Sequence, residues 1–188
     1  MKYVAILLAE GFEEVEALLP CDFLRRAEIV TKLVSISEDL LVKGAHDITV
    51  QADMHLSEVQ VADLLGVIVP GGMPGTKHLA ENLAVIRLLN DAHAQGKIVG
   101  AICASPAIVM PKTNFFAEKT FTCTPSQRDL LADKKYYIEA PVVIDGKVIT
   151  SRGPGTTAHF THAIIQELKS KEIADALFTR ALFHLEEC

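Results

Sequence analysis

The stretch "KIVGAICASPAIVM" (residues 97–110) decides the fold, because it changes character at one residue. Residues 97–102 form a short, β-branched and almost uncharged run, which predicts a buried strand. Small residues and Pro106 follow, and then a second apolar run, which predicts an abrupt turn into a helix. Cys103 is the turn residue. Helix N–H groups beside such a turn favour an anion and lower a thiol pKa, so Cys103 is a candidate nucleophile. The alternative is a buried structural thiol.

Apolar runs of strand length alternate along the chain with segments of helical period. The predicted strands are 2–8, 30–36, 66–70, 97–102 and 147–151, and the predicted helices are 13–28, 76–95, 157–168 and 172–185. We also expect hairpins at 40–55 and at 142–150, the second with Asp145-Gly146 as its turn. This alternation predicts an α/β three-layer sandwich with a mostly parallel sheet, and the length suits a single domain over residues 1–188.

The charge and cysteine patterns exclude several classes of protein. The chain has 18 basic and 24 acidic residues, a net charge of −6, and its basic residues are not clustered, so we expect neither a nucleic-acid partner nor a membrane partner. Acidic residues follow the apolar start "MKYVAILLAEGFEE" at once, which favours a first strand over a signal peptide. The four cysteines are scattered without a CxxC pair, which indicates free thiols in a reducing cytoplasm.

Three predicted strand ends carry unusual chemistry. Residues 9–16 (AEGFEEVE) follow the first strand, residues 71–75 (GGMPG) follow the third, and Cys103 follows the fourth. Because ligands bind beyond the carboxyl ends of parallel strands, we expect all three to face one pocket. Gly71 and Gly72 supply backbone N–H groups suited to an oxyanion hole beside a nucleophile. The segment lacks the Gly-Lys-Ser/Thr ending of a phosphate loop.

Glu16 is the acidic residue most suited to this pocket, since it lies between apolar Val15 and Ala17. A carboxylate and a thiolate in one buried site cannot both ionise cheaply, so they share a proton. We expect a protonated Glu16 that donates to the sulfur of Cys103. Such a donor also stabilises a sulfinate.

Four segments in this order resemble the ThiJ/PfpI superfamily, in the branch of the parkinsonism-associated deglycase. They are "GFEEVEALLPCDFLRRA" (11–27), "VIVPGGMPG" (67–75), "AICASPA" (101–107) and "TSRGPGT" (150–156). The resemblance implies a flavodoxin-like fold, similar to the class I glutamine amidotransferases, and a homodimer. It makes Cys103 the oxidisable nucleophile and Glu16 its protonated partner, with backbone N–H groups from Gly72 and Ala104. It places Gly153 and Pro154 beside the site near the dimer interface, to which Arg26 contributes.

Two positions depart from the pattern of this family. Relatives with glyoxalase or deglycase activity carry a histidine before the proline of the segment that reads Thr122-Cys123-Thr124-Pro125 here. A threonine hydroxyl cannot act as a general base near neutral pH. His46 stands where this branch often has arginine, and it is an alternative candidate for the missing base.

Other kinds of site fit the sequence less well. A peptidase of this superfamily has histidine after its cysteine, whereas Ala104 follows Cys103. His184-Leu185-Glu186 matches the end of an amidotransferase triad, but it lies in a predicted terminal helix. His159 and His162 have helical spacing for two metal ligands without a third nearby. We therefore expect neither a metal site nor a cofactor.

Two functions remain for a Cys103–Glu16 centre. The first is an oxidative-stress sensor or protective, chaperone-like protein whose Cys103 becomes a sulfinic acid. The second is a cofactor-independent glyoxalase or deglycase that attacks reactive dicarbonyls through the same thiolate. The ligand is a peroxide in the first case and a small reactive carbonyl in the second. Thr124 favours the first.

Overall fold

A computed structural model describes residues 1–183 and 185 of the chain. Seven strands form one sheet in the order β5-β2-β1-β6-β7-β9-β8, parallel except for the pair β8–β9. Its strands are β1 (Tyr3–Leu8), β2 (Thr31–Ser35), β5 (Met54–His55), β6 (Leu64–Val69), β7 (Ile98–Ile102), β8 (Val142–Asp145) and β9 (Val148–Ser151). A separate antiparallel pair consists of β3 (Leu41–Lys43) and β4 (Thr49–Gln51). The predicted mostly parallel sheet is confirmed.

Helices cover both faces of the sheet. They are α1 (Glu14–Arg26), α2 (Gly75–Glu81), α3 (Leu83–Ala94), α4 (Ser105–Ile108), α5 (Pro125–Arg128), α6 (Thr157–Leu168) and α7 (Lys171–Arg180). Alternate residues of β1 point into two cores: Ile6 packs with α1, α6 and α7, while Leu7 packs with the α2–α3 side. This burial on both faces explains the unbroken apolar strands, and it confirms the three-layer sandwich.

Three local predictions differ from the structure. The helix predicted at 76–95 is two helices, because the Asn82 side chain accepts hydrogen bonds from the N–H groups of Ala84 and Val85 and caps α3. The turn of the 142–150 hairpin is Gly146-Lys147 rather than Asp145-Gly146, since Asp145 pairs with Val148. The last helix ends at Arg180 instead of residue 185. His184, Glu186 and Cys188 lie outside the described residues.

The strand order places the site. From β1 the chain passes to β2 on one side and later to β6 on the other, so the order reverses between β1 and β6. The segments that follow β1, β6 and β7 therefore meet at one edge of the sheet. Within residues 1–183 and 185, no helix is both long and apolar enough to span a membrane.

Candidate active site

Cys103 occupies the sharp turn between β7 and α4, as predicted. Its φ of 66° is in the left-handed region, which is unusual for a residue with a side chain. Two backbone hydrogen bonds hold the turn: the Cys103 N–H donates to the Ser151 carbonyl (3.0 Å), and the Cys103 carbonyl accepts from Thr124 N–H (2.9 Å). The Ser105 hydroxyl ties the start of α4 to the Pro70 carbonyl (2.5 Å). A partly exposed thiol on a strained strand-to-helix turn is the geometry of a nucleophile elbow.

Glu16 lies in the first turns of α1 with no exposed surface. Its Oε2 atom accepts a hydrogen bond from the Gly71 N–H at 2.7 Å, which links the α1 carboxyl to the segment after β6. Its Oε1 atom is buried without a hydrogen-bond partner among the described residues. Leaving a buried polar atom unpaired costs roughly 1–3 kcal/mol of folding free energy. This oxygen is therefore a candidate for protonation or for a hydrogen bond to a substrate.

Gly71 lets the two groups approach each other. A Cβ atom at this position would lie 2.6 Å from Cys103 Cβ and 2.7 Å from Glu16 Oε2. Any larger residue would therefore push the thiol and the carboxyl apart. Gly71 thus contributes in two ways. Its N–H donates a hydrogen bond to Glu16, and its lack of a side chain leaves room for the Cys103 thiol beside the carboxyl.

The pKa of Cys103 differs from the value expected from the sequence, whereas the pKa of Glu16 agrees with it. Burial raises the pKa of Glu16 to about 7, and burial together with the neighbouring carboxyl raises the pKa of Cys103 to about 12. The N–H groups of Ala104 and Gly72 lower the thiol pKa, as expected, but burial outweighs them. The prediction of a lowered thiol pKa is therefore wrong. The raised pKa of Glu16 agrees with the expected protonated carboxyl.

The two groups hold one proton between them over a wide range of pH. Double ionisation would place two negative charges in one buried site, so above pH 7 the pair keeps a single proton. The thiolate form then arises when the Cys103 proton moves to Glu16. This internal transfer needs no general base from solvent.

The segment after β9 lies beside Glu16. A Cβ at buried Gly153 would lie 4.0 Å from the unpaired Oε1 atom, so Gly153 faces this oxygen without filling the space. The Gly153 carbonyl accepts from the Thr156 N–H at 2.9 Å, which fixes the turn. Pro154 begins the short 3₁₀ helix of residues 154–156 and is exposed.

The three auxiliary residues have different positions. Thr124 lies beside the nucleophile, since its N–H donates to the Cys103 carbonyl, and its half-buried hydroxyl makes no helix-cap hydrogen bond. His46 is held by Glu14 through its Nδ1 atom at 2.8 Å, and no described contact joins it to Cys103. Arg26 lies ten residues beyond Glu16 on α1, about 15 Å along the axis, and is paired with Asp22. Of the three, only Thr124 is brought to the site.

Two cations near Thr124 have no counterpart among the residues predicted from the sequence. Arg128 and Arg152 both pair with Glu139, at 3.5 and 3.1 Å. Arg152 lies inside the segment "TSRGPGT", and Arg128 lies one turn after Pro125, so both were close in sequence to residues already singled out. Buried Cys123 lies near both guanidinium groups, which partly offset the burial that raises its pKa to about 11.

The fold and the site together define a flavodoxin-like α/β protein with a cysteine at a nucleophile elbow and a buried carboxyl partner. Residues 2–167 match the DJ-1/PfpI family, and the chain belongs to this family.

The chain is also similar to individual DJ-1 proteins in sequence and in structure. "Glutathione-independent glyoxalase DJ-1" of Schizosaccharomyces pombe is 32% identical over 187 residues, which is 95% of this chain and 97% of the relative. "Protein DJ-1 homolog A" of Arabidopsis thaliana is 34% identical over 91% of this chain, which spans only 43% of that longer protein. The crystal structure of Drosophila melanogaster DJ-1beta superposes with a TM-score of 0.90 at 32% identity, covering 98% of this chain and 100% of that one.

Proposed function

We propose that this protein acts in the response to oxidative stress through oxidation of Cys103 to a sulfinic acid. The observation that carries the proposal is the buried Cys103–Glu16 pair at the elbow, where a carboxyl with a pKa near 7 lies beside a strained thiol. Membership of the DJ-1/PfpI family supports a role of this kind. The role is that of a sensor or a protective protein.

The oxidation uses one proton transfer in each direction. Glu16 takes the thiol proton, and the thiolate attacks one oxygen of hydrogen peroxide. As the O–O bond breaks, protonated Glu16 returns its proton to the departing hydroxide, which leaves as water and yields a sulfenic acid. A second peroxide delivers another oxygen, releases a second water and yields the sulfinate. The unpaired Oε1 atom of Glu16 then has a partner in an oxidised sulfur.

A second candidate function is a glyoxalase or deglycase. The Schizosaccharomyces pombe relative, which is named a glutathione-independent glyoxalase and is 32% identical over nearly the whole chain, favours it. The Cys103 thiolate adds to the aldehyde of a dicarbonyl, and the Gly72 and Ala104 N–H groups stabilise the oxyanion. The next step moves a proton between two carbons and needs a base. Thr124 does not supply one, so we place this activity second.

We expect hydrogen peroxide to add two oxygens to Cys103 at doses that leave Cys21 and Cys123 unmodified. Acidity does not separate these thiols, since the pKa of each is raised. Two other features distinguish Cys103: it lies beside Glu16, and its thiol is partly exposed while the other two are buried. Peptide mapping by mass spectrometry after graded peroxide, in buffer with a chelator, measures the three sites. Equal modification of Cys103 and Cys21 would contradict the proposal.

We further propose a cytoplasmic homodimer. The described cysteines, Cys21, Cys103 and Cys123, are all free, as expected in a reducing compartment. Exposed apolar side chains lie near the start of α1 and on the β3–β4 hairpin: Val15, Leu41, Ile48 and Met73. Light scattering at micromolar concentration should give twice the mass of one chain. A monomer would count against the dimer without touching the chemistry of Cys103.

A further inference from the structure

The structure brings together three metal-ligating side chains outside the Cys103–Glu16 site. Glu13 immediately precedes α1, and Glu14 is its first residue. His46 lies in the turn between β3 and β4. One ligand atom from each lies within 4.8 Å of the others. The two carboxylates alone would be ordinary acidic residues at a helix start. The imidazole, which comes from a second element more than thirty residues away, gives the group the composition of a transition-metal site.

The separations between these atoms suit a tetrahedral ion. His46 Nδ1 lies 2.8 Å from Glu14 Oε2 and 3.7 Å from Glu13 Oε1. Bonds of about 2.0–2.1 Å to a tetrahedral Zn²⁺ place neighbouring ligand atoms roughly 3.3 Å apart, between these two values. The third separation, between the two carboxylates, is at most 4.8 Å.

The two elements that carry the ligands are already fixed to each other. The Ala45 N–H donates to the Phe12 carbonyl, and the Gly11 N–H donates to the Lys43 carbonyl, each at 2.8 Å. The His46 N–H donates to Glu14 Oε1 at 2.7 Å, which orients that carboxylate and leaves Oε2 directed at the imidazole. At Gly44 a Cβ atom would overlap the Glu14 carboxylate, so the hairpin packs directly on it. The metal-free structure therefore already holds Glu14 and His46 in position.

Glu13 provides a separate indication of a ligand. Its side chain is only 15% exposed, yet among the described residues nothing donates a hydrogen bond to its carboxylate. Its described partner is the His46 imidazole at 3.7 Å, which is beyond hydrogen-bond distance, and a bound cation would satisfy this mostly buried carboxylate better. In the single chain the His46 side chain is 66% exposed, which leaves a side open for water as a fourth ligand.

The geometry points to a site for one divalent late-transition-metal ion, with Zn²⁺ as the representative, held by Glu13, Glu14 and His46. One imidazole and two carboxylates suit zinc, cobalt, nickel or copper, whereas calcium and magnesium prefer oxygen ligands alone. The sequence expectation of no metal site follows from His159 and His162, whereas this group comes from α1 and the β3–β4 hairpin. The metal site does not depend on the proposed function of Cys103.

Titration calorimetry with Zn²⁺ on the metal-free chain of residues 1–188 tests the site. Wild type and Cys103→Ser should bind one ion with equal affinity. His46→Gln should weaken binding by more than about 100-fold, because loss of an outer partner alone typically costs 10–100-fold. Glu13→Gln should weaken it clearly as well, and among the described residues this carboxylate accepts no hydrogen bond that the substitution would remove. The matched control is His78→Gln, a histidine on neighbouring α2, which should leave the affinity unchanged.

Cobalt substitution gives an independent readout. Co²⁺ bound to His46, Glu13 and Glu14 should show visible absorption of a tetrahedral site without the near-ultraviolet band of a cobalt–thiolate bond. Absence of Zn²⁺ binding, unchanged affinity in His46→Gln, or equal losses in His78→Gln or Cys103→Ser would each overturn the proposal. A thiolate band would do so too.

Discussion

Replacing Thr124 with histidine is expected to raise the conversion of methylglyoxal to lactate by about 10²–10⁴-fold, the usual range for general acid–base catalysis. Position 124 is beside the nucleophile, since its N–H donates to the Cys103 carbonyl at 2.9 Å. The Cys103 thiolate can add to the aldehyde without help from residue 124. The adduct is expected to stall in the wild type because the threonine at position 124 offers no base to move the proton between the carbons. An imidazole at this position supplies that base.

Two variants make this result specific. The glutamine of Thr124→Gln is similar in size to histidine but has no titratable group. This variant should therefore produce lactate at the wild-type rate. Thr124→His combined with Cys103→Ser should lose both the adduct, seen by mass spectrometry, and lactate production. If the wild type already matches histidine-bearing relatives, another base exists and the glyoxalase function displaces the sensor function. His46 is a poor candidate for that base, because Glu14 holds its Nδ1 atom.

Changing Glu16 to glutamine is expected to slow peroxide oxidation of Cys103 by about 10²-fold at pH 6. At this pH Glu16 is mostly protonated in the wild type, since its pKa is raised to about 7. The thiolate fraction is then nearly equal in the two proteins, because a neutral carboxyl and a neutral amide perturb the sulfur similarly. The rate difference therefore reports the proton that Glu16 returns to the departing hydroxide.

The thiol titration provides a second measurement on the same variant. The Glu16 carboxylate raises the pKa of Cys103 through its charge and its hydrogen bond, so the glutamine variant should have a thiol pKa below the wild-type value of about 12. Thiolate absorbance in the ultraviolet measures it. The matched control is Glu10→Gln, an exposed residue after β1, which should change neither rate nor pKa. An equal loss in this control would show that the effect is not specific to Glu16.

The elements that position the site could be predicted from sequence because each has a strong local signal. The strand–turn–helix around Cys103 follows from a change from β-branched to small residues, and the structure has it at the same residues. The break at Asn82 was also readable, since asparagine is a favoured N-cap, but the continuous apolar pattern hid it. Local patterns thus predicted element types better than element boundaries.

Properties that depend on long-range packing could not be predicted. The pKa of Cys103 is set by how deeply the turn is buried against Glu16 and Gly71, and one-dimensional spacing does not contain that depth. The contact of His46 with Glu14 joins residues 32 positions apart through the placement of a hairpin. Arg26 shows the opposite case: it shares a helix with Glu16, but the length of the helix separates the two.

The pH dependence of the Cys103 oxidation rate tests the shared proton most directly. Because the pKa of Glu16 is raised to about 7, the wild-type rate should rise tenfold per pH unit up to about pH 7. It should then stay level through pH 9, since the pair has lost one proton and the second is held to about pH 12. The Glu16→Gln rate should keep rising through pH 7. A wild-type rate that also rises tenfold per unit up to pH 9 would contradict the account, because Cys103 would then titrate as an isolated thiol.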